Sequence, residues 1–186
     1  MSQNTDHLIE KQLDSETVYE GSFITVTVQT VELPNGKLAK RDVVLHPGAV
    51  TVLAITADDK ILLVNQFRKA TNRLLIETPA GKLEPGEDPL TSAKRELEEE
   101  TGYQAAEWKH FSSFYTSPGF ADELMHSYIA TDLTKSQQNL DDDEFLDVLH
   151  VSAEEAEQMV QDGRIADAKT IALIYWWLRE RAREGK

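Results

Sequence analysis

Between Gly81 and Tyr103 the chain reads GKLEPGEDPLTSAKRELEEETGY, a run in which Glu96, Glu98, Glu99 and Glu100 crowd behind Arg95. On a helix advancing about 100° per residue, Glu99 falls about 40°, Glu96 about 100° and Glu100 about 140° from Arg95. Three carboxylates then share one sector with one guanidinium, beside an apolar stripe of Leu90, Ala93 and Leu97. Like charges at that spacing destabilise an isolated helix by roughly 0.2–0.5 kcal/mol per pair. Such a run is either a solvated helix face or a set of oxygens gathered by a hard divalent cation, since Mg²⁺ takes carboxylates, waters and substrate phosphates. The context favours the cation. Gly81 follows Pro79-Ala80, so the backbone there can approach a ligand closely. Glu87 stands at the mouth of the helix, and Arg95 lies two turns further along.

The elements that must position these groups are also legible. Asp88 is a plausible N-cap, Pro89 suits the first helical position and Gly102 a helix stop. Upstream, residues 1–15 are polar and read as a mobile tail. SFITVTVQTVELPNGKLAKRDVVLH places β-branched residues on both sides of Asn35-Gly36, a strong hairpin signal. GAVTVLAIT and ILLVNQF, separated by ADDK, read as two paired and buried strands, and RLLIE as a short further one. WKHFSSFY, LMHSYIATD and FLDVLHV read as later strands. Ser152 can cap a helix through Met159, and DAKTIALIYWWLRERARE closes the chain as a helix with a basic tail. SPGFADE and SQQNLDDDE read as loops. Strands before, between and after helices predict a mixed sheet with helices on its faces, with the hairpin at residues 22–46 either part of it or a small sheet of its own.

The totals narrow the chemistry. The length of 186 residues and 40% hydrophobic content suit one compact domain with a small appendage. A net charge of −14 argues against electrostatic binding to nucleic acid or anionic lipid, but bound cations can reverse the local sign for a phosphate substrate. There is no cysteine, hence no disulfide framework and no thiol chemistry. MSQNTDHLIEKQ lacks the apolar core of a signal peptide, and TIALIYWWL is too short to span a bilayer, so a cytoplasmic protein is expected. The histidines form no HExxH or other zinc pattern.

The acidic run resembles a known motif, the Nudix box, G-x5-E-x7-R-E-U-x-E-E-x-G-U with U a bulky aliphatic residue. Gly81, Glu87, Arg95, Glu96, Leu97, Glu99, Glu100 and Gly102 match it, and Tyr103 departs from it by being aromatic. The resemblance implies a Nudix hydrolase with an α/β/α sandwich, a mixed sheet and a small N-terminal antiparallel β-sheet. It implies that Glu96, Glu99 and Glu100, with the backbone carbonyl of Ala80, hold Mg²⁺ or Mn²⁺. It further implies that Arg95 and Glu87 orient that cluster through a salt bridge.

Outside the box, Pro118 lies fifteen residues after Tyr103 in SPG, and AKRDVVLHPGAV, VNQFRKA and IETPAGKLEPGE precede it. These resemble the ADP-ribose pyrophosphatase branch of the family over residues 19–183, with Phe67, Asp42 and Thr78 as departures. Hydrolysis of ADP-ribose to AMP and ribose 5-phosphate is the implied reaction. The branch implies substrate contacts from Ser117, Pro118, Gly119, Glu123, Arg41 and Arg68, with His46 beside the substrate. Arginine forks onto phosphate and stacks on adenine.

A late-loop glutamate serves as general base in that branch, and Glu144 in DDDEFLDV matches the position, with Asp142 and Asp143 as neighbours. The resemblance also implies homodimers, with residues 1–45 as a dimerisation arm and 46–186 as the hydrolase domain. Tyr19 and Phe23 are candidates to stack the base, or else simply surface and core residues. Two rival readings remain at this point. One is a Nudix hydrolase for another nucleoside diphosphate sugar or a dinucleoside polyphosphate, and the other a nucleotide-sensing module without hydrolysis.

Overall fold

The computed structural model describes residues 5–142 and 144–185, and Asp143 lies outside them. The chain divides into two compact units: one joins residues 5–48 to Tyr115–Leu124, and the other joins Ala49–Phe114 to the chain from Met125 onward.

In the smaller unit a short 3₁₀ turn, Asp6–Leu8, leads into β1 (Lys11–Glu20), β2 (Thr25–Glu32) and β3 (Leu38–Leu45), an antiparallel sheet in that order. The hairpin expected at Asn35-Gly36 joins β2 to β3, with Gly36 at φ 78° and its N–H on the Leu33 carbonyl. The polar tail expected over residues 1–15 is corrected from Lys11 onward, because β1 pairs along β2 with register shifts at Gln12/Asp14 and Thr17/Tyr19. Every β1 residue is exposed, so this edge strand lacks the apolar alternation by which strands are recognised.

The larger unit contains β4 (Ala49–Ile55), β5 (Ile61–Arg68), β6 (Arg73–Glu77), β7 (Ala80–Lys82), α1 (Pro89–Thr101), β8 (Tyr103–Tyr115), β9 (Leu124–Lys135), β10 (Leu146–Val151), α2 (Ala153–Gln161) and α3 (Ala168–Glu184). The strands run β10-β5-β4-β9-β8, with β6 added to β5 and β7 to β4. β4 is parallel to β9 and antiparallel to β5, so the sheet is mixed. β7, too short to show a strand pattern in the sequence, pairs its three residues with Ala49, Val50 and Thr51.

Alternation along the central strands builds both helical layers. Leu53, Ile61, Leu63 and Ile129 pack with Ala153, Ala156 and Met159 of α2 and Leu173, Ile174 and Trp177 of α3. Val50, Val52, Ala54, Leu62, Tyr128 and Ala130 pack with Ala93 and Leu97 of α1. The result is the α/β/α sandwich expected from the sequence. α1 is terminated as its ends require: Asp88 accepts from the Thr91 N–H at 3.1 Å, and Gly102 closes the helix at φ 69°. Ser152 and Asp167 cap α2 and α3 in the same way.

Candidate active site

In the larger unit, the apolar face of α1 fixes its carboxylate face against β7. Glu96 and Glu100 are buried, at 8% and 2% exposure, and Glu99 is half-buried. The Ala80 N–H donates to Glu100 Oε2 at 2.9 Å. Glu96 lies over Gly81: a Cβ there would come within 1.9 Å of its carboxylate carbon. Only glycine at position 81 leaves Glu96 where it is.

Arg95 binds the set together. Its Nε and Nη2 donate to Glu87 at 3.1 and 3.0 Å, and its Nη1 donates to Glu96 at 2.8 Å and Glu99 at 3.0 Å. The hydrogen bonds from Arg95 bring the Glu87 carboxyl down to about 2, and the bond to Glu87 is the first cause raising Arg95. Burial pushes Glu100 up to about 8, opposed by the Ala80 N–H and reinforced by the charges of Glu96 and Glu144. Burial also raises Glu96 against the pull of Arg95.

Among the described residues, no three histidine, aspartate or glutamate side chains converge closely enough to cage a cation as they stand. The donor set nevertheless fits a hard divalent cation. The two buried carboxylates lie close enough for the charge of Glu96 to raise the proton affinity of Glu100, and a cation would offset the cost of ionising both.

Glu144 follows from the loop before β10. It is half-buried on the wall of a hollow of about 370 Å³ shared with Asn65, Leu74, Leu140, Phe145, Leu146 and Asp147. Its charge is felt at both Glu96 and Glu100, while the neighbouring Asp142 is exposed. Arg68 is committed to a partner, with Nε and Nη2 forking onto Glu77 at 2.9 and 3.1 Å.

The smaller unit gathers a second group of the expected residues. Ser117 to Gly119 form a tight turn in which the Ser117 carbonyl accepts from Phe120 and Ala121. The turn is tied to β3 by Val44 N–H to the Phe120 carbonyl at 2.7 Å and Asp122 N–H to the Val44 carbonyl at 3.1 Å. Glu123 accepts from the Thr116 hydroxyl and lies 3.8 Å from His46 Nε2. Arg41, Pro118 and Gly119 line one hollow of about 450 Å³, in which Arg41 is engaged by Glu10 at 2.9 and 2.5 Å. Phe23 meets His46 edge-on with ring centres 5.6 Å apart. Tyr19 does not line that hollow; it is exposed and its ring lies over Gly21, where a Cβ would come within 2.8 Å of it.

Sequence reasoning missed a buried polar network behind the box. Glu77 accepts from Lys169 as well as from Arg68, and Lys169 also reaches Asp167 at 2.9 Å. Burial pushes the Glu77 carboxyl up, but the two cations outweigh it and leave it below the ordinary range. Beside it runs a chain of hydroxyls: Thr170 to Asp167 at 2.6 Å, Thr78 to Thr170 at 3.2 Å, Thr51 to Thr78 at 2.8 Å, and Thr51 to the Pro79 carbonyl at 3.1 Å. Thr78, an apparent departure from E-x-P-A-G, is thus a polar tie between β4, α3 and the segment that presents Ala80. A signal existed: Lys169 heads a stripe with Leu173 and Trp177, a charge at the top of a buried helix face.

Comparison with known proteins agrees with this geometry. Residues 45–174 match the NUDIX domain family, and residues 10–44 match the nucleoside diphosphate sugar hydrolase N-terminal domain. The chain belongs to the Nudix hydrolase family, in the branch that includes ADP-ribose pyrophosphatases. It is 49% identical to the ADP-ribose pyrophosphatase of Bacillus subtilis (strain 168) over 93% of this chain and 95% of that one. It is 48% identical to the methanol dehydrogenase activator of Bacillus methanolicus over 92% of this chain and 94% of that one. A crystal structure of an ADP compounds hydrolase superposes with a TM-score of 0.82 at 23% identity, covering 95% of each chain, and shares the fold.

Proposed function

We propose that this chain hydrolyses the diphosphate bond of ADP-ribose, releasing AMP and ribose 5-phosphate. The observation that carries the reading is the intact carboxylate set on α1, with Glu96 and Glu100 buried against Gly81 and Ala80. The extended similarity to an ADP-ribose pyrophosphatase supports the choice of substrate. Glu96, Glu99, Glu100 and the Ala80 carbonyl would hold Mg²⁺ or Mn²⁺. Such a cation, when bound, supplies charge neutralisation at the diphosphate and lowers the pKa of water.

The chain's own residues do the rest. Arg95, braced by Glu87, holds Glu96 and Glu99 in place. The oxygen of water bonds to one phosphorus as the bond from that phosphorus to the bridging oxygen breaks, and the bridging oxygen leaves on the other phosphate. Glu144 accepts one proton of that water; its half-buried position and its charge at Glu96 and Glu100 favour it over Asp142. Arg68 and Arg41 are assigned to phosphate and base, contacts that would compete with Glu77 for Arg68 and with Glu10 for Arg41. His46 and the turn of Ser117, Pro118 and Gly119 are assigned to the substrate, Glu123 to its terminal ribose, and Tyr19 to stacking. The working form is a cytoplasmic homodimer built through β1, whose Leu13, Val18 and Tyr19 are exposed. No helix among the described residues is long and apolar enough to cross a membrane.

A second reading has its own observation: a relative of nearly equal identity is named for activating a dehydrogenase. One experiment separates the two. Purified protein with Mg²⁺ is offered ADP-ribose, a GDP-sugar and a dinucleoside polyphosphate in parallel, and is separately added to methanol dehydrogenase. AMP release from ADP-ribose at the highest kcat/KM is expected, and Glu100→Gln should lower it by about 100-fold or more. No AMP from ADP-ribose would overturn the assignment. Dehydrogenase activation that survives Glu100→Gln would favour a role without hydrolysis.

A further inference from the structure

The last carbonyls of a helix have no partner within it. In α1 these belong to Glu99, Glu100 and their neighbours, the residues whose carboxylates make the site. Donors for them arrive from a segment almost forty residues later. Ser136 N–H donates to the Gly102 carbonyl at 2.7 Å, the Gln138 side-chain amide to the Glu100 carbonyl at 2.7 Å, and Asn139 N–H to the Glu99 carbonyl at 3.1 Å. The Ser136 hydroxyl also donates to Glu98. Gly102 permits this approach: a Cβ there would come within 3.0 Å of the Gln138 nitrogen. Five residues after Asn139 the same segment reaches Glu144, which turns back to donate its N–H to the Asp141 carbonyl at 3.0 Å.

We infer that Gln138 is a positioning residue: by clamping this segment to the C-terminal carbonyls of α1, it fixes where Glu144 stands relative to Glu96 and Glu100 without itself touching substrate. This rests on the assignment of Glu144 as proton acceptor. Among the described residues, three hydrogen bonds hold the segment to the carbonyls of Glu99, Glu100 and the cap Gly102, and of these only that from Gln138 comes from a side chain, so Gln138 is where the clamp can be released without altering the backbone. An amide is suited to the task because its N–H₂ reaches a carbonyl whose other lone pair remains available. A bare helix cap would stabilise α1 and nothing more. A clamp that carries the base must act on the rate of reaction, and only while the base is there.

The test uses Gln138→Met, which keeps length and removes the donor, and Gln138→Lys, which restores a donor suited to a helix C-terminus. Gln138→Met is expected to lower kcat on ADP-ribose by roughly 10-fold, as loss of a supporting hydrogen bond does elsewhere, with KM within about twofold. Gln138→Lys should recover roughly half of the lost rate or more. In a Glu144→Gln background, Gln138→Met should have no further effect, because residues that act as a unit are not additive.

Without metal or substrate, hydrogen exchange at Ser136 and Asn139 should quicken in Gln138→Met. Unchanged kcat, an equal fold-loss in both backgrounds, or unchanged exchange would each overturn the inference. Failure of the functional assignment looks different: the wild-type chain would release no AMP from ADP-ribose at all.

Discussion

At the scale of single residues, Gly81 and Glu100 separate function from folding. A methyl group at position 81 would overlap the Glu96 carboxylate, the far end of a side chain that can swing away. Gly81→Ala should therefore unfold within a degree or two of wild type by calorimetry, yet lose about 100-fold or more in kcat through displacement of Glu96. Glu100 predicts a pH dependence. Its folded-state pKa, about 8, lies above the ordinary 4.5, so between those values the native state holds a proton that the unfolded state has released. The stability it contributes is complete below about 4.5 and lost as pH rises through about 8. Metal-free protein should melt at progressively lower temperature from pH 5 to 8, with Glu96 acting in the same direction. Glu100→Gln should flatten that slope, and Mg²⁺ should raise Tm more at pH 8 than at pH 5. A slope unchanged by Glu100→Gln would show that another group carries it.

At the scale of elements, the network behind the box ties α3 to the strand that leads into it. Lys169→Met leaves Glu77 buried with Arg68 alone. It should cost roughly 1–3 kcal/mol in urea unfolding, less than the loss of an only partner because the Arg68 fork persists. Lys169→Arg, longer and forked, should not restore it fully.

The contrast with α1 shows what a sequence discloses. Asp88, Pro89, the stripe of Leu90, Ala93 and Leu97, and Gly102 each act within one turn of their neighbours, so the helix could be placed with its ends, and its carboxylate sector with it. The strand at Ala49–Ile55 and the first half of that at Ile61–Arg68, through Val64, were legible because they are buried on both faces. β1 was not, since an exposed edge strand has no apolar face to display. Lys169 meets Glu77, and Gln138 meets Glu100, across separations that no local period records. Arg68 could be singled out from Gln66-Phe67-Arg68, but not its commitment to Glu77.

At the scale of the whole molecule, the proposed pairing and the net charge oppose one another. A homodimer formed through β1 should sediment at about twice 21.0 kDa, and Val18→Asp should return it to the single-chain mass. Each chain carries a net charge of −14, so like-charged copies repel at long range and added salt screens that repulsion. Dimerisation should therefore strengthen from low salt to about 0.15 M, as seen by sedimentation at fixed protein concentration. A single-chain mass at every salt concentration would remove β1 as the pairing edge.

The threonine chain behind Ala80 has a direction. Each hydroxyl has one proton to give, and Thr170 gives its own to Asp167. Thr78 is then free to give its proton to Thr170, which leaves its oxygen as an acceptor toward Thr51. The dipoles of Thr170 and Thr78 can thus both point toward one anion, Asp167, which also caps α3, while the single Thr51 proton is divided between Thr78 and the Pro79 carbonyl. Alignment of this kind is settled by a charge at one end, so neutralising Asp167 would leave these two hydroxyls without that preference. A single carboxylate at the head of the C-terminal helix thereby orders polar groups as far as Thr78, beside the strand that presents Ala80.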